Sequence, residues 1–339
     1  MRLTPTVIIG AVFLAVAATI AYVQTTQSPV PFDETFYHLG ILIGINVILA
    51  TSLNMVNGFT GQFSLGHAAF LAIGMYTGIY FSDHGGPWLF DHLAGPAGAR
   101  QAMVLLVLLA LGGLFAAIGG LLVGLPSLRL RGDYLAIVTL GFGEILRVVI
   151  RNIDALGAAL GLQLSHTDVI PAKPAMFFWV WAFAMAAVMV SRNLMLSGPG
   201  RAFLAVREDE VAAEAVGVNT YKTKVIAFAM SAMFAGFAGV LAGVYARYAV
   251  PSAEGIGFLK SIELVLMVVL GGLGSITGAV LAAFLITLLP EFLRFMQDYR
   301  MIVYSLALIV LMLGRPQGIF GTRELSLPRI RRRPPTPGS

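Results

Sequence analysis

Glu144 and Arg147 stand three residues apart in an otherwise apolar stretch, so on a helix they share one face and can pair. An acid and a base inside a membrane span usually face the protein interior. They could form a gating pair beside a solute pathway or a structural ion pair near a helix end. A second polar group is Asn54, Asn57, Gln62, Ser64 and His67, set in Asn54-Met-Val-Asn57-Gly58-Phe-Thr-Gly61-Gln62-Phe-Ser64-Leu-Gly66-His67. Its amides and hydroxyl could line a path for a small solute, since irregular backbone at membrane depth survives only where protein or water satisfies it. The bland alternative is a tight loop and a packing face, with His67 a satisfied packing histidine. A third group lies at 192–224, where Arg201, Arg207, Glu208, Glu210 and Glu214 alternate with Phe203, Leu204, Val206, Val211, Ala215 and Val218 at roughly helical spacing. Gly217-Val-Asn219 reads as a helix stop. Such an amphipathic element offers a surface to something in the water.

None of these groups is a catalytic constellation. A phosphate-cradling loop needs Gly-x-x-x-x-Gly-Lys-Ser/Thr, and Gly255-Ile-Gly257-Phe-Leu-Lys260-Ser261 only echoes it. There is no His-Glu-x-x-His, no Gly-x-Ser-x-Gly and no pair of intramembrane aspartates. The 339 residues contain no cysteine, which excludes disulfides and thiolate metal sites.

The elements that must position these groups are membrane spans. With 58% hydrophobic and 12% charged residues, the chain is far less charged than a soluble domain. A span needs roughly 17–25 apolar residues, and candidates lie at 6–23, 37–56, 65–81, 103–125, 134–150, 175–190, 224–246 and 299–313. The apolar run 261–289 is broken by Gly271-Gly272-Leu273-Gly274-Ser275, and Gly271, Gly272 and Gly274 favour two short segments, spanning or re-entrant, over one helix and make the break a further candidate for the solute path. Glu263 falls early in this run. Gly74 and Gly78 form a small-xxx-small pair suited to close helix packing. The expected fold is therefore an all-α polytopic membrane protein with about 10 transmembrane segments (8–10). A single transmembrane domain covers 1–320, and 321–339 is a basic, proline-rich tail.

Charge sets the expected orientation. With the N-terminus inside, ten crossings place on one face Arg2, Arg129, Arg131, the five Lys/Arg from Arg192 to Lys224 and the six from Arg315 onward. Seven lie opposite, from Arg100 to Arg300, with Arg147 inside a span. This bias follows the positive-inside rule and puts both termini and 192–220 in the cytoplasm. It also accounts for the tail without invoking nucleic acid.

Several motifs carry a resemblance. Asn57-Gly58-x-x-Gly61-Gln62-x-Ser64-Leu65-Gly66-His67, Gly132-Asp133-Tyr134-Leu-Ala-Ile-Val-Thr139-Leu140-Gly141 and Leu270-Gly271-Gly272-Leu273-Gly274-Ser275-Ile-Thr-Gly278 occur in the order seen in branched-chain amino acid ABC importer permeases, and the second resembles the LivM-type subunit. The resemblance covers roughly residues 37–318. It implies a bacterial inner-membrane permease that binds no cofactor itself, with ATP and Mg on two cytosolic ATPase subunits. It further implies a LivH-type partner permease and a periplasmic solute-binding protein. The island resembles the ATPase-coupling segment, Glu-Ala-Ala-x-x-x-Gly, with Ala212, Ala213 and Gly217 matching and Val211 at the acidic position. A second departure is Asp154-Ala-Leu-Gly157-Ala-Ala-Leu-Gly161, where the family often carries Thr-Gly-Gly-x-Asn-Gly. The solute, a branched-chain amino acid or another small polar molecule such as urea or an amide, is left open. So is an ATP-independent transporter or channel.

Overall fold

A computed structural model describes residues 34–127 and 133–293, with isolated positions between 299 and 321. The span at 6–23, Arg129 and Arg131, most of 299–313 and the tail beyond Gly321 lie outside the described residues.

The apolar runs form helices: α1 (Glu34–Asn54), α2 (His67–His84), α3 (Gly86–His92), α4 (Ala97–Ser127), α5 (Asp133–Arg151), α6 (Lys173–Leu196), α7 (Gly198–Glu208), α8 (Glu210–Ala215), α9 (Thr220–Ala246), α10 (Phe258–Gly271) and α11 (Ile276–Phe292). Among the described residues, four helices are long and apolar enough to cross a membrane: Glu34–Phe59, Ala97–Ser127, Lys173–Leu196 and Thr220–Ala246. The run 261–289 is two helices, interrupted where Gly272 and Gly274 adopt left-handed backbone (φ +108° and +89°) that a side chain would strain. The loop at 82–100 contains the short helix α3.

α1 is the hub. Every residue from 43 to 60 is buried, and α6, α9, α10 and α11 pack around it. A helix that is apolar all round has no lipid or water face to favour, so enclosure on all sides is its stable placement. α9 forms a second centre against α2 and α4. Glycines let these three backbones touch, because without a hydrophobic driving force in lipid, association rests on close packing. A Cβ on Gly236 would stand 2.5 Å from the Ala116 Cβ and 2.6 Å from the Gly112 carbonyl oxygen, and one on Gly74 would strike the Gly236 carbonyl. Gly78 packs against Val240, so the Gly74/Gly78 pair faces α9.

The helix directions sort the ends of the molecule. α7 and α8 connect the C-terminus of α6 to the N-terminus of α9. At the other end, strands β1 (Leu162–Gln163) and β2 (Tyr248–Ala249) pair antiparallel, and Leu164 N donates to the Arg247 carbonyl at 2.8 Å. The Asp83 carboxylate there accepts from the backbone N–H of Ser165 (2.8 Å) and His166 (3.0 Å), pinning the 152–172 loop to α2.

Candidate functional site

The α1–α2 junction is irregular backbone held inside the protein. α1 passes into a single π-helical turn, Met55–Phe59, and the chain then runs without regular structure to His67. A buried N–H without a partner costs about 1–3 kcal/mol, so each needs an acceptor. Gln62 N finds the Val56 carbonyl (3.2 Å), Ser64 N the Asn57 Oδ1 (3.1 Å) and Leu65 N the Thr139 Oγ1 (3.1 Å). Ala68 N reaches the Ser261 Oγ (3.3 Å), and His67 Nε2 bonds the Ser52 Oγ (2.8 Å). Asn57, Ser64 and His67 are thus buried and engaged with their own chain. Among the described residues, the buried Gln62 amide and the Asn54 Nδ2 have no partner.

This junction meets the glycine break and the polar island. Asn54 Oδ1 accepts from Gly274 N (2.9 Å), closing the end of α1 onto the α10–α11 turn. Arg207 reaches in from α7, and its Nη1 donates to the Gly58 carbonyl at 2.9 Å. Glycine is required at this crossing. A Cβ on Gly58 would strike Asn54 Oδ1, and one on Gly274 would stand 2.6 Å from Arg207 Nη1. Three stretches that are distant in sequence therefore touch at one point.

The island is two capped helices. Ser197 Oγ caps α7 through Gly200 N (3.3 Å), and Asp209 caps α8 through Val211 N (2.9 Å) and Ala212 N (3.0 Å). Phe203, Val206 and Ala213 are buried inward, leaving Arg201, Glu208, Val211, Ala212, Glu214 and Gly217 exposed. Glu210 is turned inward, and its carboxylate meets the buried Lys224 ammonium at 2.6 Å. Glu214 accepts the Thr220 hydroxyl at 2.6 Å while remaining exposed.

Glu144 and Arg147 pair at 2.6 Å on α5. The free Glu144 oxygen accepts from Phe258 N (2.9 Å), so the pair also caps α10, placing a carboxylate at the positive end of a helix.

At the end opposite the island opens a cavity of about 720 Å³, between α1, α2, α9, α10 and α11. Such a volume lies within the range of small-molecule sites, roughly 300–1,000 Å³. Its walls carry Leu42, Ile45, Leu49 and Ile286, and its polar groups include Asn46, Lys260, Glu263 and Thr287, with two further cations, Lys173 and Arg247. Lys260 and Glu263 are paired at 3.0 Å, and Asn46 Nδ2 donates to Thr287 Oγ1 at 2.8 Å. None of Asn54, Asn57, Gln62, Ser64, His67, Gly271, Gly272 or Gly274 lines it. Of its polar residues, the sequence singled out Glu263 and, only as an echo of a phosphate-cradling loop, Lys260. Asn46 alone in an apolar helix and the Lys260/Glu263 spacing were the available signals.

Comparison with known proteins is consistent with these observations. Residues 35–313 match the family described as branched-chain amino acid transport system / permease component. The LivM permease protein of the high-affinity branched-chain amino acid transport system of Escherichia coli is 35% identical over 310 residues, covering 83% of this chain and 69% of that protein. A probable LivM permease of Methanocaldococcus jannaschii is 24% identical over 336 residues, covering 86% and 94%. The Escherichia coli LivH permease is 32% identical over 151 residues, covering 43% and 47%. No solved structure matches the chain. Members of this family are permease components rather than enzymes, and with its apolar helices this chain is a multi-pass membrane protein. The chain belongs to the branched-chain amino acid transport system permease family.

Proposed function

We propose that the chain is one permease subunit of a bacterial inner-membrane ABC importer for branched-chain amino acids or similar small polar solutes. It pairs with a LivH-type permease, receives solute from a periplasmic binding protein and is driven by two cytosolic ATPases that carry the ATP and Mg. The exposed face of 201–217 is the ATPase contact, which makes the island end cytoplasmic and the cavity end periplasmic. The observation that carries this reading is Arg207, which joins the exposed helix pair to the Gly58 carbonyl and the Gly274 turn. A displacement of α7 is therefore passed directly to the end of α1 and the α10–α11 break. Differential binding of ATPase states to this face would bias the permease between two arrangements.

The test is co-purification and uptake. Ala212→Arg or Glu214→Arg on the exposed face should release the ATPases and abolish uptake while the permease stays folded. If the ATPases remain bound and uptake persists, the coupling assignment is wrong. Uptake by the permeases alone, without ATP, would favour a secondary transporter or channel.

A further inference from the structure

We propose that the cavity facing away from the island is an amino-acid zwitterion site, with Lys260 holding the ligand carboxylate and Glu263 its ammonium. This rests on the reading of the chain as an amino-acid permease.

Asn46 is the thirteenth residue of the span Glu34–Phe59 and so lies about 18 Å along it at 1.5 Å per residue, near its middle. Lys260 Nζ approaches the Asn46 Oδ1 at 3.5 Å while pairing with Glu263 at 3.0 Å. A full charge pair thus reaches toward mid-span, where ionisable groups are costly and mark solute pathways. The Glu144–Arg147 pair caps a helix; Lys260 and Glu263 instead border open space.

The chemistry of the walls narrows the ligand. Of the lining cations, Lys173 is paired with Glu34 and Arg247 is exposed, whereas Lys260 and Glu263, a cation and an anion three residues apart on one helix face, match a molecule carrying both charges on groups attached to one carbon. An α-amino acid can enter between them, exchanging one ion pair for two without changing the net charge of the site. Leu42, Ile45, Leu49 and Ile286 then offer an aliphatic wall for its side chain, and Asn46 and Thr287 offer polar groups beside the charges. A route in exists. A smaller cleft of about 350 Å³ shares His38, Lys173 and Tyr245 with the cavity, and carries the Lys173–Glu34 pair (3.0 Å) at the start of α1. On this reading the membrane subunit itself inspects the solute after its delivery.

The experiment uses the complete importer, with partner permease, ATPases and binding protein, reconstituted in proteoliposomes and fed labelled leucine. Lys260→Gln and Glu263→Gln should each lower uptake about tenfold or more, the loss expected when a charge-assisted hydrogen bond is removed, while assembly and basal ATP hydrolysis persist. The charge-swapped double variant Lys260→Glu/Glu263→Lys keeps the pair but inverts the site, and should stay inactive. Leu42→Phe narrows the wall and leaves the charges alone, so preference should move toward alanine over leucine by at least threefold. Wild-type uptake in either single variant, rescue by the swap, or unchanged preference in Leu42→Phe overturns the proposal. If the unmodified importer carries no amino acid at all, the functional reading fails instead, and that outcome is visible before any variant is made.

Discussion

Arg207→Met should uncouple ATP hydrolysis from transport. The substitution keeps an unbranched aliphatic side chain beside Gly61, where a Cβ would stand 3.2 Å from the Arg207 Cγ, but removes the guanidinium. What is lost is the 2.9 Å charge-assisted bond to the Gly58 carbonyl. Hydrogen bonds to charged groups contribute roughly 1.5–3 kcal/mol, and the oxygen left behind sits in a fully buried turn. If that bond carries force from α7 into the α1–α2 junction, the ratio of solute taken up to ATP hydrolysed should fall by about 10- to 100-fold, since each 1.4 kcal/mol is a factor of ten. Arg207→Lys restores one donor and should recover part of the ratio. Glu208, whose carboxylate is 4.0 Å from Arg207 Nε and 79% exposed, adds little to holding the guanidinium because solvent screens the contact. The assay is paired measurement of labelled-solute uptake and phosphate release in proteoliposomes. An Arg207→Met importer with an unchanged uptake-to-ATP ratio would refute the transmission argument.

Four further outcomes follow from the packing. Gly236→Ala forces a methyl between α9 and α4, and should lower stability by about 1–3 kcal/mol, seen as a lower unfolding temperature in detergent. Glu210→Gln strands the buried Lys224 ammonium and should cost roughly 3 kcal/mol, the lower end for a broken buried pair because Glu210 keeps some water contact; unaltered thermal stability would show that the pair contributes nothing. Gln62→Met, which removes an amide with no partner among the described residues, should leave thermal stability unchanged or raised, whereas Asn57→Ala should lower it by about 1–3 kcal/mol by orphaning Ser64 N.

The sequence made the helices legible because long apolar runs admit few other structures in lipid. The run 37–56 became α1, and the glycines at 271–274 marked the break between α10 and α11. The island was legible as an amphipathic element, but Glu210 and Lys224, fourteen positions apart, gave no sign that they close on each other. The polar residues 54–67 were conspicuous as types, yet their partners Thr139, Ser261 and Gly274 lie far along the chain, so nothing local indicated that they satisfy backbone. The cavity was hidden for the same reason. Its polar groups come from α1, α6, α9, α10, α11 and the residues just after α9, a few from each, and only the packed bundle gathers them.

The burial of α1 sets an order of events in biosynthesis. The helix made first among those described is enclosed by helices made later, and its last wall, α11, ends at Phe292. At about 5–20 residues per second, the ribosome needs roughly 12–47 s to travel from Phe59 to that point. Through this interval α1 must persist in the bilayer only partly enclosed, with Asn46 and Asn54 still waiting for Thr287, Lys260 and Gly274. Its apolarity thus serves two stages, as a lipid-tolerant intermediate first and a protein core afterwards. A nascent chain arrested before Phe258 would hold its hub helix flanked by α6 and α9 but still lacking the wall that α10 and α11 supply.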